Sequence, residues 1–278
     1  MLCVGFSTEE AMLRPDPNLH VEIFAIGTEV LLGRIQDTNS AWLAEQISMS
    51  GGTVRRITAL GDSAEDIRGG FGEAIARGAG LAVSTGGLGP TPDDITVEVV
   101  AGLAGCGVKS DDRVIADYRA RRSIPEGDDL PPALLKMGSV PEKADAYLNP
   151  VGWAPGFSVR MRQTCIFCMP GPPREVKGVY DAHLRPALGA AYRGLTAVRR
   201  VRTEMFESQI SPVLQEVMNR FPNAYLKAYV ALGDGTGLPV DVFVRGSDGQ
   251  SPERELENVL GFFAELMRMH GKELKPEA

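Results

Sequence analysis

The segment TGGLGPTPDD, residues 85–94, lies between two apolar stretches. The run Leu81–Ser84 precedes it, and Ile95–Leu103 follows with apolar residues at helical spacing. That order is typical of a β-strand, a glycine-rich turn and an α-helix. The segment therefore predicts a strand–turn–helix unit of the kind that builds α/β proteins.

The residues of this turn favour binding of a phosphorylated small molecule. Gly86, Gly87 and Gly89 remove side chains from the turn, so that backbone N–H groups can approach a ligand closely. Asp93 and Asp94 follow as adjacent carboxylates, which can hold a metal ion. A turn that binds phosphate next to acids that bind metal predicts chemistry at phosphorus.

A second interpretation of the same residues is an ordinary helix start. Thr91 would be the N-cap, Pro92 the first helical residue, and Asp94 the reciprocal acid of a capping box. Both acids would also favour the positive end of the helix dipole. The glycine spacing matches neither the P-loop nor the dinucleotide fingerprint, so this segment alone leaves both interpretations open.

Composition narrows the class of protein. The chain has 278 residues, 44% hydrophobic and 23% charged, which fits a globular protein with one large domain or a medium and a small one. The net charge of −7 argues against a nucleic-acid binder. No apolar run has the length of a membrane span, and residues 1–19 resemble a loose extension rather than a secretory signal. We expect a cytoplasmic protein without nucleic-acid or membrane partners.

The pair Cys165 and Cys168 has metal-ligand spacing but lies inside an apolar, strand-like run. No second pair accompanies it, and His20, His183 and His270 are scattered along the chain. A structural zinc site needs four ligands in a recognisable pattern. We therefore expect buried strand cysteines in a reducing compartment rather than a zinc site.

Alternating strand and helix patterns predict a parallel sheet covered on both faces by helices. The predicted elements are the strands Val21–Ile26, Thr53–Leu60 and Leu81–Thr85, a helix over Asn39–Met49, and a helix that Ser63 opens with Asp66 at capping-box spacing.

Ligands of such sheets bind beyond the carboxyl ends of the strands. The segments that follow the three strands are Gly27–Glu29, Gly61–Asp62 and Thr85–Gly87. Because these segments are polar and contain glycine, the sequence predicts a ligand site where they meet.

The middle of the chain is less regular. Asp111–Arg122 predicts a polar helix, and Ser123–Pro155, rich in proline and charge, predicts a segment that wraps the surface or forms a mobile flap. Gly156–Met169 predicts a hairpin or a pair of strands, and Glu175–Leu188 predicts a helix.

A second unit starts near Val198, with the order β-α-β-β-α of a small α+β domain. It lacks an acid cluster or a glycine loop like that of residues 85–94. We therefore expect this unit to have a packing, dimerising or substrate-covering role rather than a catalytic one. Its predicted elements are Arg199–Phe206, Gln209–Asn219, Ala224–Val230, Pro239–Val244 and a helix capped by Ser251.

Several motifs together resemble a known family. They are VEIFAIGTEVLLGRIQDTNSAWLAEQI (21–47), Gly61-Asp62, TGGLGPTPDD (85–94), NPVGWAPGF (149–157), MPGPPREVKGVY (169–180) and FESQI (206–210). In this order they resemble the N-terminal domain of the competence/damage-inducible protein CinA. The resemblance is dense from Val21 to Leu188 and looser from Val198 to Met269.

The resemblance implies an α/β fold: a three-layer parallel-sheet MoaB/Mog-like molybdopterin-binding domain followed by a small α+β domain. The implied bounds are an N-terminal extension over residues 1–19, the MoaB/Mog-like domain over residues 20–190 and the small domain over residues 197–270.

The sequence departs from the family pattern in three places. The chain ends near where many members begin a nicotinamide-nucleotide amidohydrolase domain, so we expect that activity to be absent. Leu134–Met137 stands where many members carry a polar stretch with Asn or Gln, which puts contacts by that stretch in doubt. Trp153 replaces a residue that is commonly small or hydroxylic.

The resemblance implies a metal-dependent pyrophosphatase that acts on ADP-ribose or a related dinucleotide such as FAD, with Mg²⁺ or Co²⁺ as the metal. The products would be AMP and a sugar phosphate, and the protein would be a homodimer. Asp62, Asp93 and Asp94 would be catalytic, with Asp62 and Asp94 as metal ligands. The substrate-binding residues would be Thr28, Glu29, Asn39, Thr85, Gly86, Gly87, Gly89, Thr91, Arg174 and Lys177.

Some of these roles have alternatives. The amides of Gly86, Gly87 and Gly89 would donate to phosphate oxygens. Arg174 and Lys177 would neutralise phosphate charge or simply form an exposed helix face. Asn39 would touch the nucleotide or cap its helix, and Glu29 would bind ribose or water.

Two other functions stay open at the level of sequence. The same carboxylates and glycines would serve nucleotidyl transfer to molybdopterin, since both reactions pass through attack on phosphorus. The α+β domain and the PGPPRE turn favour the pyrophosphatase. A third hypothesis is a non-catalytic nucleotide or pterin sensor.

Overall fold

A computed structural model describes residues 12–13, 19–233, 237–246 and 251–276. The chain divides into two compact units, the first built mainly from residues 18–48 and 53–191 and the second mainly from residues 192–278. The extension predicted for residues 1–19 lies outside the described residues, except for Met12, Leu13 and Leu19.

The first unit contains a six-stranded sheet in the order β2-β1-β3-β8-β7-β6 and a separate pair, β4-β5. Strands β2, β1, β3 and β8 are parallel to one another, whereas β7 pairs antiparallel with β8 and β6 pairs antiparallel with β7. The strands are β1 (His20–Ile26), β2 (Thr53–Leu60), β3 (Leu81–Thr85), β4 (Val108–Ser110), β5 (Ser139–Pro141), β6 (Asp145–Tyr147), β7 (Gly156–Met161) and β8 (Thr164–Met169).

Helices connect these strands, which confirms the predicted α/β class. Ser63 accepts a hydrogen bond from the Asp66 N–H at 3.1 Å, so the predicted cap is present. The helices are α1 (Thr28–Leu31), α2 (Thr38–Met49), α3 (Ala64–Ala76), α4 (Thr96–Leu103), α5 (Asp112–Arg122), α6 (Pro132–Met137), α7 (Pro173–Val179) and α8 (Arg185–Tyr192), with the π-helical turn Tyr180–Leu184 between the last two.

Strands β1 and β3 are buried along their whole length, as expected for central strands covered on both faces. Glu22 in β1 is 1% exposed, and Arg77 binds both of its carboxylate oxygens at 2.9 and 2.7 Å. This bidentate pairing compensates the loss of hydration of a buried carboxylate.

The segment from Ser123 to Pro155 differs from its prediction as a surface wrap or flap. It contains helix α6 and strands β5 and β6, and β6 extends the main sheet. Leu134, Val140 and Ala146 are buried and pack into the main core. The proline and charged residues of this segment thus obscured the sequence patterns of short elements. A few buried apolar residues pack these elements against the core of the first unit.

Cys165 and Cys168 lie buried in β8, where burial raises their pKa values to about 11 and about 12. Because the thiolate is the reactive form, we expect iodoacetamide at pH 8 to label the half-buried Cys106 and to spare both strand cysteines. Peptide-resolved mass spectrometry before and after unfolding in guanidinium checks this. Equal labelling of Cys106, Cys165 and Cys168 in the folded protein would contradict it.

The second unit contains an antiparallel sheet in the order β10-β11-β9-β12, which confirms the predicted α+β character. Strand β12 was not predicted, because three residues carry too short a pattern. The elements are β9 (Thr196–Thr203), α9 (Glu207–Arg220), β10 (Ala224–Ala228), the 3₁₀ turn Val230–Leu232, β11 (Leu238–Arg245), α10 (Pro252–Met269) and β12 (Leu274–Pro276).

Candidate functional site

A cavity of about 540 Å³ opens at the carboxyl ends of β1, β2 and β3, within the range typical of ligand pockets. It is lined by the segments that follow these strands. Of the residues that the sequence proposed for the site, the lining contains Glu29, Asn39, Asp62, Thr85, Gly86, Gly87, Gly89, Asp93 and Asp94. Thr28, Thr91, Arg174 and Lys177 do not line it.

The glycine turn requires two of its glycines for steric reasons. Gly86 has φ of 100°, and a Cβ atom there would lie 2.1 Å from the Ile26 carbonyl oxygen. Gly87 has φ of 70°, and its Cβ would lie 2.0 Å from Thr96 Oγ1. Both conformations lie in the left-handed region that favours glycine, so the turn can pass tightly between β1 and α4.

The backbone N–H groups of this turn do not all serve the same purpose. Gly86 donates to the Met169 carbonyl at 3.0 Å, which corrects the prediction that this amide binds phosphate. Within the described part of the chain, the N–H groups of Gly87, Leu88 and Gly89 have no acceptor. These three consecutive residues line the cavity, and a run of N–H groups without acceptors favours an anionic ligand.

The residues Thr91–Asp94 form a turn rather than the first turn of a helix. Asp94 accepts hydrogen bonds from the Thr91 N–H at 2.9 Å and the Thr91 hydroxyl at 2.5 Å. Helix α4 starts only at Thr96, with Ile95 in the N-cap position, so Thr91 is not the cap that was predicted. Short acidic side chains compete with helix formation by binding nearby backbone groups, which explains the delay.

The same threonine restrains the other acid of the pair. The Thr91 hydroxyl also lies 2.5 Å from an Asp93 carboxylate oxygen, and this contact lowers the pKa of Asp93. Asp93 is therefore ionised throughout the neutral range. Thr91 itself does not line the cavity but holds the carboxylates that do.

Asp62 connects the turns that follow β1 and β2. Its carboxylate accepts a hydrogen bond from the Thr28 N–H at 2.6 Å, and its own N–H donates to the Thr28 hydroxyl at 3.2 Å. Thr28 therefore orients Asp62 instead of facing the cavity. This exchange fixes one carboxylate at the edge where the strands end.

Asn39 belongs to the cavity rather than to a helix cap. Helix α2 starts at Thr38, and Asp37 provides the cap by accepting from the Ser40 N–H at 2.9 Å. Asn39 donates instead to the Gly171 carbonyl at 2.8 Å, which joins α2 to the Pro170–Pro173 turn. The capping alternative for Asn39 is thus wrong.

Sequence reasoning missed Glu175, which also lines the cavity. The Asn149 side chain donates a hydrogen bond to the Glu175 carboxylate at 2.6 Å. Burial raises the pKa of Glu175, and this effect exceeds the lowering that the hydrogen bond causes. Both residues lie in motifs that carried the resemblance, NPVGWAPGF and MPGPPREVKGVY. The two motifs were therefore recognisable in the sequence. The hydrogen bond between Asn149 and Glu175 was not, because it joins motifs that are distant along the chain.

The cavity is strongly acidic. Among the described residues its lining contains no lysine or arginine, whereas six carboxylates line it: Glu29, Asp37, Asp62, Asp93, Asp94 and Glu175. Lys177 lies over the Trp42 ring, 5.4 Å from its centroid, and Arg174 is exposed, so both occupy an outer helix face. The nearby Lys136 amine contacts the Thr91 carbonyl.

These ligand types fit a hard divalent cation. The cavity lining offers oxygen donors and, in its described part, no histidine or cysteine. The described residues contain no group of three acidic, histidine or cysteine side chains placed to enclose a metal. Mg²⁺ needs no such enclosure, because it commonly binds one or two carboxylates together with water and substrate phosphates.

Over the described ranges, no helix combines the length and apolar character that crossing a bilayer requires.

Comparison with known proteins agrees with this architecture. The family model described as probable molybdopterin binding domain matches residues 22–190. A protein from Pyrobaculum calidifontis is 32% identical over 253 residues, covering 88% of this chain and 95% of its own length. A CinA-like protein from Anaeromyxobacter sp. (strain K) is 34% identical over 262 residues, which cover 93% of this chain and 63% of that protein.

A solved structure gives the same result. The crystal structure of CinA from Thermoplasma acidophilum, a protein of unknown function, superposes with a TM-score of 0.56 and 30% identity. It covers 62% of this chain and 99% of that chain. The chain therefore belongs to the family of the probable molybdopterin binding domain and is a CinA-like protein with a MoaB/Mog-type fold.

Proposed function

We propose that this protein is a divalent-metal-dependent pyrophosphatase that hydrolyses ADP-ribose or a related dinucleotide such as FAD to AMP and a second phosphate ester. One observation carries the proposal. Asp62, which follows β2, lines the same cavity as Asp94 and the residues Gly87–Gly89, which follow β3 and whose N–H groups have no acceptor among the described residues. That arrangement suits a ligand with a diphosphate group.

The charge of the cavity supports metal dependence. Six carboxylates would repel a diphosphate, and no lysine or arginine among the described lining residues offsets them. Asp62 and Asp94, with Asp93 beside them, would hold the cation. When bound, a divalent cation polarises a phosphoryl oxygen and lowers the pKa of a coordinated water.

The chain's own residues would position the substrate. The N–H groups of Gly87, Leu88 and Gly89 would donate to diphosphate oxygens, where negative charge develops during attack on phosphorus. Thr28 and Thr91 restrain Asp62 and Asp94 through the hydrogen bonds described above, which keeps the carboxylates oriented without the ligand.

The family description favours a second candidate. A probable molybdopterin binding domain spans the cavity residues, and transfer of a nucleotidyl group to molybdopterin would use the same amides and carboxylates. Binding of a nucleotide or pterin without turnover is the third candidate.

A substrate panel separates the three. The purified protein would be incubated with ADP-ribose, with FAD, and with ATP plus molybdopterin, each with Mg²⁺, Co²⁺ or EDTA, and products would be resolved by ion-exchange chromatography. We expect AMP from ADP-ribose or FAD with metal and none with EDTA. Adenylylated pterin would instead support the transferase, and saturable binding without product would support the sensor.

A further inference from the structure

The lining of the cavity includes apolar residues and one aromatic ring among its described residues. Among the described lining residues, Trp153 has the sole aromatic side chain. Met137, Ala154 and Pro172 add further apolar surface to the same lining. Met137 ends the stretch Leu134–Met137, where the family pattern is commonly polar, and Trp153 stands where that pattern commonly has a small or hydroxylic residue. Trp153 and the last residue of that stretch therefore line the cavity.

The Trp153 ring is held by contacts from helix α5. The Tyr118 ring packs against it edge-to-face, with centroids 5.6 Å apart and an interplanar angle of 65°. The guanidinium groups of Arg121 and Arg122 lie 5.4 and 4.8 Å from its centroid, within cation–π distance. These contacts restrict the orientation of the ring before any ligand binds.

The backbone on both sides of Trp153 is also restrained. The Arg121 guanidinium donates to the carbonyls of Gly152 at 2.6 Å and Asn149 at 2.7 Å. Asn149 is 2% exposed and accepts from the N–H groups of Val151 at 3.1 Å and Gly152 at 2.8 Å. Its amide also donates to the Ala154 carbonyl at 2.9 Å. A loop held at this many points presents its tryptophan as a fixed surface.

We propose that Trp153 is the surface on which a planar heteroaromatic ring of the ligand stacks, while the diphosphate lies at the glycine turn. This inference rests on the proposed function, because it assumes a nucleotide in this cavity. Adenine and isoalloxazine share the necessary chemistry, a flat π-system with little charge. Trp153 would then determine specificity by favouring ring-bearing dinucleotides over other diphosphates.

Fluorescence measures this contact without any turnover. The chain contains two tryptophans, and Trp42 packs on Tyr180 outside the cavity lining, so Trp42→Phe leaves Trp153 as the single reporter. AMP, FMN and ribose 5-phosphate would be titrated with and without Mg²⁺. We expect AMP or FMN to quench Trp153 emission and ribose 5-phosphate, which lacks the ring, to leave it unchanged. Equal quenching by ribose 5-phosphate, or no quenching by either ring-bearing ligand, would overturn the proposal.

Variants separate stacking from packing. Stacking of a base on an aromatic side chain is lost on truncation, so Trp153→Ser should weaken AMP binding by about 10- to 100-fold, and Trp153→Phe should restore most of it. In calorimetric titrations, equal weakening of ribose 5-phosphate binding would assign Trp153 a packing role only. For an active enzyme we expect the serine variant to raise KM for ADP-ribose more than it lowers kcat.

The two proposals fail in different ways. Hydrolysis of ADP-ribose by a protein whose Trp153 emission ignores AMP and FMN would remove the stacking role and keep the pyrophosphatase. Quenching by these ligands without hydrolysis of any dinucleotide would keep the stacking surface and remove the pyrophosphatase.

Discussion

Replacement of Asp94 by asparagine is expected to lower the rate of ADP-ribose hydrolysis by about 10²- to 10⁴-fold and to leave the fold intact. The amide oxygen of asparagine can still accept the hydrogen bonds that Thr91 donates to Asp94, so the turn keeps its structure. The negative charge that would hold a cation is lost. Steady-state kinetics at saturating Mg²⁺, together with urea unfolding, measures both consequences.

Matched variants make the result specific. Asp112→Asn removes the charge of an exposed acid in the first turn of α5 outside the cavity, and we expect it to change the rate little. Asp94→Ala removes both the charge and the acceptor of the Thr91 hydrogen bonds. Full activity in Asp94→Asn combined with lost stability in Asp94→Ala would assign Asp94 a purely structural role and contradict the proposed mechanism.

Gly86→Ala is expected to destabilise the first unit by more than about 3 kcal/mol. The new Cβ atom would lie 2.1 Å from the carbonyl oxygen of Ile26, at the end of the central strand β1, and φ at this residue is 100°. A backbone atom of a buried strand cannot move aside as a flexible side chain can. Equilibrium urea unfolding of the variant and the parent protein gives the difference in free energy.

Gly69→Ala provides the control for this prediction. Gly69 lies inside α3, and a Cβ atom at this residue would meet open space out to 4 Å, so alanine should stabilise the protein by about 0.5–1 kcal/mol. The two substitutions add the same methyl group with opposite expected signs. Similar unfolding midpoints for Gly86→Ala and Gly69→Ala would show that the glycine turn rearranges to accept the methyl group, which would contradict the steric argument.

The sequence predicted strands well where clear turn signals flank them. Thr53–Leu60 and Leu81–Thr85 have the predicted bounds, because glycines and a capped helix start mark their ends. The start of α4 was predicted too early, since Thr91, Pro92 and Asp94 satisfy the local rules of a cap. The carboxylates of Asp93 and Asp94 bind Thr91 instead, and local rules do not rank these alternatives.

The arrangement of the residues around the cavity was predictable in outline because parallel strands end at one edge. This rule brought Asp62, Asp94 and Gly87 to one cavity. It could not foresee that the Gly86 N–H is used by Met169 on the neighbouring strand β8, because that contact depends on strand order. The part played by Glu175 likewise depends on Asn149, which lies in another motif.

Other expectations stay predictions. They are the metal and its ligands, the dinucleotide substrate, the homodimer and the cytoplasmic location. The coarser conclusion, a CinA-like protein of the probable molybdopterin binding domain family, stands independently of them.

The glycine turn is anchored to the sheet on one side and to α4 on the other. Gly86 donates to Met169, while the backbone and hydroxyl of Thr96 donate to the carbonyls of Gly87 and Gly86 at 3.2 and 3.3 Å. Glycine segments have the largest conformational entropy to lose on ordering. Because folding has already removed that freedom here, a ligand that meets the Gly87–Gly89 amides finds them immobilised, and more of its interaction energy becomes affinity.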